Sequence, residues 1–159
     1  MKREATIRRT TKETDIECTI KLDCLDESVI DSGVPFFDHM LNSMSKHGRF
    51  FIDLKCDGDT EIDDHHSVED IGLVLGQALY KALGERKGIK RFGNATIPMD
   101  DALAQVAIDI SGRAFYAYKG IQLSDYIANY SEELTGEFMR AFSTSAQINL
   151  HIHVLDGLN

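Results

Sequence analysis

Residues 63–70, with the sequence DDHHSVED, carry the side chains best suited to binding a transition metal. His65 lies four residues and His66 three residues before Glu69, so on a helix either histidine can share a face with that carboxylate. Adjacent side chains on a helix point about 100° apart, so His65 and His66 cannot easily chelate one ion together. The spacing therefore favours two metals, each completed by ligands from elsewhere, or one metal and a catalytic histidine. Imidazole and carboxylate ligands together suit Mn, Fe or Zn.

The sequence leaves alternatives to a transition-metal site open. The histidine pair itself could be a solvated cap at a helix start, and two nearby patterns can be interpreted in more than one way. Residues 57–63 hold alternating acids and faintly resemble a calcium loop, but they lack the glycine that such a loop needs at its sixth position. His39, Ser43 and His47 recur every four residues and would form a polar stripe on a helix. That stripe could face a site or be ordinary exposed surface.

Hydrophobic periodicity predicts the elements that position these side chains. Alternation typical of strands covers residues 5–22, 50–56, 95–97, 103–110, 114–118 and 148–154, and amphipathic spacing predicts helices over 36–47, 66–83 and 132–146. The second half repeats the order of the first but lacks its last helix. We therefore expect a single domain, 1–159, made of two pseudo-repeated halves, about 1–86 and 87–159. Its class would be α+β, with two layers and the helices on one face of a mostly antiparallel sheet.

Composition narrows the classes of function. The net charge of −9 would repel a polyanion, so we expect no nucleic-acid partner, and no apolar stretch approaches the ~20 residues of a membrane span. The amino-terminal segment is charged, unlike a secretory signal. Three cysteines without a CxxC pair indicate reduced thiols, mostly buried. The expectation is a soluble, cytoplasmic protein.

Five blocks of sequence, in order across nearly the whole chain, resemble the imidazoleglycerol-phosphate dehydratase family of histidine biosynthesis. They are GVPFFDHML at 33–41, DDHHSVEDIG at 63–72, RFG at 91–93, PMD at 98–100 and DISGR at 109–113. The resemblance implies a fold of the ribosomal protein S5 domain 2-like type and trimers that assemble into a 24-mer. It also implies two Mn²⁺ ions per complete site and the dehydration of imidazole glycerol phosphate, a small phosphorylated imidazole, to imidazole acetol phosphate.

The resemblance also implies roles for individual residues. The implied metal ligands are His39, His65, His66 and Glu69. The implied substrate contacts are these four together with Glu13, His47, Arg91 and Arg113. Glu13 is the implied acid/base, and His65 and Glu69 join it as catalytic residues. The planar guanidinium groups of Arg91 and Arg113 suit a phosphate, although surface ion pairing is their alternative.

The chain departs from the family pattern in two places. Where the family often has Glu-His-Phe-Phe, residues 136–139 read GEFM, so Glu137 becomes a substitute metal ligand. A second His-His-x-x-Glu motif would follow residue 159, and each metal site of the family draws ligands from both motifs. We therefore expect a C-terminally truncated chain with impaired metal binding and activity. The alternatives are a non-catalytic metal-binding module and an inactive trimeric assembly unit.

Overall fold

A computed structural model describes residues 2–121 and 126–157 of the chain. Along these residues the elements are β1 Glu4–Thr10, β2 Thr14–Lys21, β3 Val29–Asp31, α1 Pro35–Gly48, β4 Phe51–Gly58, α2 His65–Leu83, β5 Phe92–Met99, β6 Ala102–Asp109, β7 Phe115–Lys119, β8 Tyr126–Ile127, β9 Tyr130–Ser131, α3 Glu133–Ala146 and β10 Asn149–Asp156. The three predicted helices are confirmed, each to within about one residue at its ends.

Eight of the ten strands of the described residues form two four-stranded sheets with the same topology, and β8 and β9 pair separately. The first has the order β1-β2-β4-β3 and the second the order β5-β6-β10-β7. In each sheet the first two pairs are antiparallel and the last pair is parallel. The predicted α+β class and its internal repeat are thus confirmed, with α1 and α3 as equivalent helices. The strands were expected in one sheet, whereas each half builds its own; the limits of the halves remain predictions.

Short elements account for the remaining differences from the predicted pattern. Residues 5–22 form a hairpin, because the Thr11 hydroxyl accepts hydrogen bonds from the backbone N–H groups of Glu13 and Thr14 and closes a turn there. Strands β3, β8 and β9 are each two or three residues long, which is too short for an alternating pattern to appear. The expected break near residues 156–159 lies partly outside the described residues, since Leu158 and Asn159 are not among them.

Helix α2 is the central element of the core. Val68, Ile71 and Leu75 on its buried face are at most 1% exposed, and the helix packs on β1, β2 and α3. Two glycines let α3 approach closely: a Cβ at Gly76 would lie 2.5 Å from the backbone oxygen of Phe142. A Cβ at Gly72 would lie 2.8 Å from the backbone oxygen of Phe138. Because no side chain fits there, α2 is held against α3 and its first turn has a fixed position.

The second sheet is less covered than the first. Strand β5 is exposed along its whole length, and Ile97 and Met99 are 62% and 70% exposed. In the first sheet the equivalent strand β1 lies under α2, where Ile7 is 5% exposed. Within the described part of the chain, the helices are too short or too polar to cross a membrane.

The cysteines have free thiols in the described residues, and two of the three are buried. Burial raises the pKa of Cys18 to about 12 and that of Cys56 to about 11. Both thiols therefore stay protonated near neutral pH, and their main contribution is to packing.

Candidate metal and substrate site

The candidate site begins at the first turn of α2, which carries both histidines of the DDHHSVED stretch. The Asp63 carboxylate accepts a hydrogen bond from the backbone N–H of His65 at 2.8 Å, which satisfies one of the free donors at the helix start. The rings of His65 and His66 have centroids 6.1 Å apart and planes at 85°. The two imidazoles therefore point in different directions, as their adjacency on a helix predicts.

His65 lies beside Glu69 on one face of α2. The His65 Nε2 and Glu69 Oε2 atoms are 3.6 Å apart, and both side chains are 43% exposed. This separation is too long for a hydrogen bond, but it leaves both side chains accessible to one metal ion. The predicted pairing at four-residue spacing is thus present in the structure.

His66 pairs with Asp59 rather than with Glu69. Its Nδ1 lies 3.0 Å from Asp59 Oδ2 and 3.3 Å from Oδ1. The hydrogen bond to Asp59 raises the pKa of His66 most, and the charges of Asp59, Asp63 and Glu13 raise it further, whereas desolvation lowers it. Sequence reasoning missed Asp59, although the acidic run 57–63 immediately before the helix was noticed as a weak calcium pattern.

Glu13 reaches the same place from the first hairpin. It sits in the turn between β1 and β2, and its backbone oxygen accepts a hydrogen bond from the Asp59 N–H at 3.1 Å. Its carboxylate is close enough to His66 to raise the pKa of that imidazole. The structure therefore brings the proposed acid/base next to a proposed metal ligand that is distant in sequence.

A buried polar network holds the Glu13 turn on α2. Asp70, the residue after Glu69, is 8% exposed and accepts a hydrogen bond from the Thr14 hydroxyl at 2.6 Å. The same carboxylate forms an ion pair with Arg9 of β1. Thr14 directly follows Glu13, so this network fixes the turn from its inner side. In the sequence Asp70 stands out only as part of the motif around the histidines.

The predicted stripe on α1 lines a groove. His39, Ser43 and His47 border a cavity of about 660 Å³ between α1 and residues 25–28, together with Lys46 and Arg49. His65 lines a different cavity of about 400 Å³, opposite Asn129 and Ser131 near the β8–β9 hairpin. The histidines of α1 and the first histidine of α2 thus border separate cavities of this chain.

Arg91 and Arg113 both interact with the charge of Asp109, at the end of β6. Arg91 donates to both carboxylate oxygens of Asp109, from Nε at 2.6 Å and from Nη2 at 3.0 Å, and stacks 4.9 Å above the Phe92 ring. The hydrogen bond from Arg91 lowers the pKa of Asp109 most, and the charges of Arg91 and then Arg113 lower it further against desolvation. Of the two predicted phosphate contacts, Arg91 is therefore already paired along one edge, whereas Arg113 affects Asp109 only through its charge.

Glu137 lies on α3 on the side of β7. Burial raises the pKa of Tyr116 most, and the negative charge of Glu137 is one of the weaker contributions in the same direction. Within residues 2–121 and 126–157, no three His, Cys, Asp or Glu side chains gather closely enough to hold a metal ion. Of the predicted ligands, the structure thus brings His65 and Glu69 together, whereas His66 pairs with Asp59 and His39 and Glu137 lie on other helices.

The donor chemistry of these residues fits a divalent transition metal. His65 and Glu69 combine imidazole nitrogen with carboxylate oxygen, as Mn, Fe and Zn sites do, and His66 offers a second imidazole on the same helix turn. A complete coordination sphere needs further ligands beside these. His39, which is exposed on α1, is one such group on this chain.

Comparison with known proteins places these features in a family. The sequence profile described as "Imidazoleglycerol-phosphate dehydratase" matches residues 32–159. Relatives of that name are 48% identical over 157 residues in Oceanobacillus iheyensis, covering 99% of this chain and 81% of the relative, and 48% identical over 159 residues in a Geobacillus species, covering 100% and 82%.

Solved structures agree with the sequence comparison. The crystal structure of imidazoleglycerol-phosphate dehydratase from Staphylococcus aureus has a TM-score of 0.87 and 34% identity, covering 98% of this chain and 86% of that one. The structure of IGPD from Pyrococcus furiosus in complex with (S)-C348 has a TM-score of 0.82 and 36% identity, covering 96% and 81%.

Proposed function

This chain belongs to the imidazoleglycerol-phosphate dehydratase family, and we propose that it is a lyase of histidine biosynthesis. Its reaction would be the dehydration of imidazole glycerol phosphate to imidazole acetol phosphate. The main structural support is the meeting of Glu13, His66 and Asp59, which brings an exposed carboxylate to the helix that carries the imidazoles.

The metal is proposed to be Mn²⁺, two per complete site, held by His39, His65, His66 and Glu69. Their imidazole and carboxylate groups are the ligands such an ion takes. When bound, the metal supplies Lewis-acid polarisation of the substrate. Glu137 of α3 remains a proposed substitute ligand from the second half of the chain.

Glu13 is proposed as the group that moves the proton. Dehydration removes a proton from one carbon and a hydroxide from its neighbour, and together they leave as water. A carboxylate can take the first proton and return it to the leaving hydroxyl if it lies within reach of both. The exposed turn between β1 and β2 presents Glu13 to solvent, while the Asp59 N–H fixes its backbone.

Arg91 is proposed to bind the substrate phosphate with Arg113. Replacing Arg91 with glutamine is expected to raise KM about 10- to 100-fold and to change kcat much less, because a phosphate contact stabilises substrate and transition state alike. The matched control is Arg8→Gln, which breaks a similar bidentate pair with Asp15 in the first half and should leave KM near wild type. An unchanged KM in the Arg91 variant would contradict the assignment.

The proposal as a whole is tested by turnover of the full chain with and without Mn²⁺. We expect dehydration that starts on addition of Mn²⁺ and stops with a chelator, measured by the appearance of the ketone product.

We also propose a homo-oligomer, a trimer that grows to a 24-mer when complete and metal-loaded. The net charge of −9 would repel a polyanion and so supports the absence of a nucleic-acid partner. We also propose a cytoplasmic enzyme without a membrane partner.

One observation favours a second candidate, a non-catalytic metal-binding or trimeric assembly module. In the described ranges no three possible ligands lie together, which would give weak metal binding and impaired catalysis. Light scattering with and without Mn²⁺, run beside the turnover assay, separates the two candidates. Growth in particle mass without turnover would favour the assembly module, whereas turnover would establish the dehydratase.

A further inference from the structure

We propose that Asp59 is a positioning residue that fixes the ring orientation and tautomer of His66, so that Nε2 is the nitrogen offered to a metal. The inference rests on the proposed function, because it concerns one of the ligands assigned there. It adds a residue that does not touch substrate or metal and that acts only through His66.

The contact between the two side chains is specific. Both Asp59 oxygens lie near the same ring nitrogen, Nδ1, at 3.0 and 3.3 Å. An ionised carboxylate only accepts hydrogen bonds, so a neutral His66 must carry its proton on Nδ1. The lone pair of Nε2 is then free for a metal, which is how carboxylates commonly orient metal-binding histidines. Asp59 is also the less exposed partner, with 16% of its side chain accessible against 45% for His66.

The backbone holds Asp59 in place on both sides. Its N–H donates to the Glu13 oxygen at 3.1 Å, and its own oxygen accepts from the Ile62 N–H at 2.8 Å. These two bonds fix the backbone from which the carboxylate reaches the imidazole. The same residue thus links the backbone of the proposed acid/base to the ring of a proposed ligand.

The glycine before Asp59 permits this close approach. A Cβ at Gly58 would lie 2.2 Å from the hydroxyl oxygen of Ser67, which is fully buried next to His66. A side chain at position 58 would require the Ser67 hydroxyl to move or the end of β4 to shift away from α2. The missing side chain lets the end of the strand lie against the helix, which brings Asp59 within hydrogen-bond distance of His66.

The test compares Asp59→Ala and Asp59→Asn with the control Asp57→Ala in the full chain. Asp57 is an exposed acid near the end of β4, two residues before Asp59, so its removal changes the charge equally. Long-range ¹H–¹⁵N correlation spectra of the metal-free protein, at a pH where His66 is neutral, report its tautomer. Titration with Mn²⁺, followed by electron paramagnetic resonance of the free ion, gives the affinity.

We expect the Nδ1–H tautomer in the wild type and in Asp57→Ala, and a shift towards Nε2–H in Asp59→Ala. The Mn²⁺ Kd should rise about 10- to 100-fold in Asp59→Ala and stay within about twofold in the control. Asp59→Asn keeps an acceptor oxygen and should restore the tautomer in part, and it also serves if the alanine variant fails to fold. An Nε2–H tautomer in the wild type, or an unchanged tautomer in both Asp59 variants, would overturn the proposal.

The two readouts separate this inference from the proposed function. If the tautomer shifts as expected but the wild type shows no turnover, the positioning role stands and the dehydratase assignment fails. If Mn²⁺ binding is lost in Asp59→Ala while the tautomer is unchanged, Asp59 is itself a ligand and the positioning role is wrong.

Discussion

Replacing Glu13 with glutamine is expected to lower kcat for dehydration by about 10²- to 10⁴-fold, the range that a positioned acid/base contributes. Glutamine keeps the size of the side chain and its hydrogen-bonding capacity but cannot carry the proton. The backbone contact between Glu13 and Asp59 does not involve the side chain, so the turn should keep its position. Steady-state kinetics with saturating Mn²⁺ measure the effect.

Glu17→Gln is the matched control for this variant. Glu17 is an exposed acid on β2 of the same hairpin and faces Arg8 across the strand pair. Its replacement removes the same charge and should leave kcat and KM near wild type. A nearly normal kcat in the Glu13 variant would show that Glu13 moves no proton. A defect in KM alone would show that it only binds substrate.

The contact between His65 and Glu69 could be predicted from sequence because it lies within one helix. Four-residue spacing determines which side chains share a face, and the hydrophobic period identified the helix. The contact between His66 and Asp59 could not be predicted in this way. It depends on how closely the end of β4 approaches α2, which Gly58 and the buried Ser67 decide through tertiary packing.

The arginines illustrate the same limit. Their side chains suggested phosphate binding or surface ion pairing, and the structure shows that Arg91 already makes an ion pair, with Asp109. Only the antiparallel pairing of β5 with β6 brings Arg91, at the edge of β5, beside the end of β6. Register between strands is a property of the whole sheet, so periodicity within one strand does not reveal it.

The division of the strands into two sheets also could not be predicted from the sequence pattern. Both halves have the same alternation, and alternation identifies strands without naming their partners. The close packing of α2 on α3 through Gly72 and Gly76 could not be predicted either, because an isolated glycine in a helix indicates only a lower helix propensity. The repeat follows from the order of the predicted elements, whereas Glu13 follows only from the family resemblance, since periodicity alone identifies it as an ordinary strand residue.

Replacing Asp70 with alanine is expected to lower the free energy of unfolding by about 3 kcal/mol, because it leaves Arg9 and the buried Thr14 hydroxyl without their shared partner. The estimate lies at the low end of the range for broken buried ion pairs, since the Arg9 side chain is 37% exposed and can be partly rehydrated. Denaturant unfolding measures the loss as a lower midpoint at an unchanged slope.

Asp15→Ala provides the matched comparison, since it breaks the neighbouring pair with Arg8 on the same hairpin. There both side chains are well exposed, at 62% for Arg8 and 42% for Asp15, and water can replace the partner. We expect its unfolding midpoint to stay close to wild type. Equal losses in the two variants would contradict the view that burial makes the Asp70 network important.

Asp70 also connects stability to the proposed chemistry. Its carboxylate accepts from the Thr14 hydroxyl, one residue after Glu13, so losing it removes the inner attachment of the turn while leaving the bond from the Asp59 N–H to the Glu13 oxygen. Glu13 would then sample positions away from His66, and kcat should fall even in conditions where the variant is fully folded. Catalysis that follows only the folded fraction would instead show that the Asp59 bond alone positions Glu13.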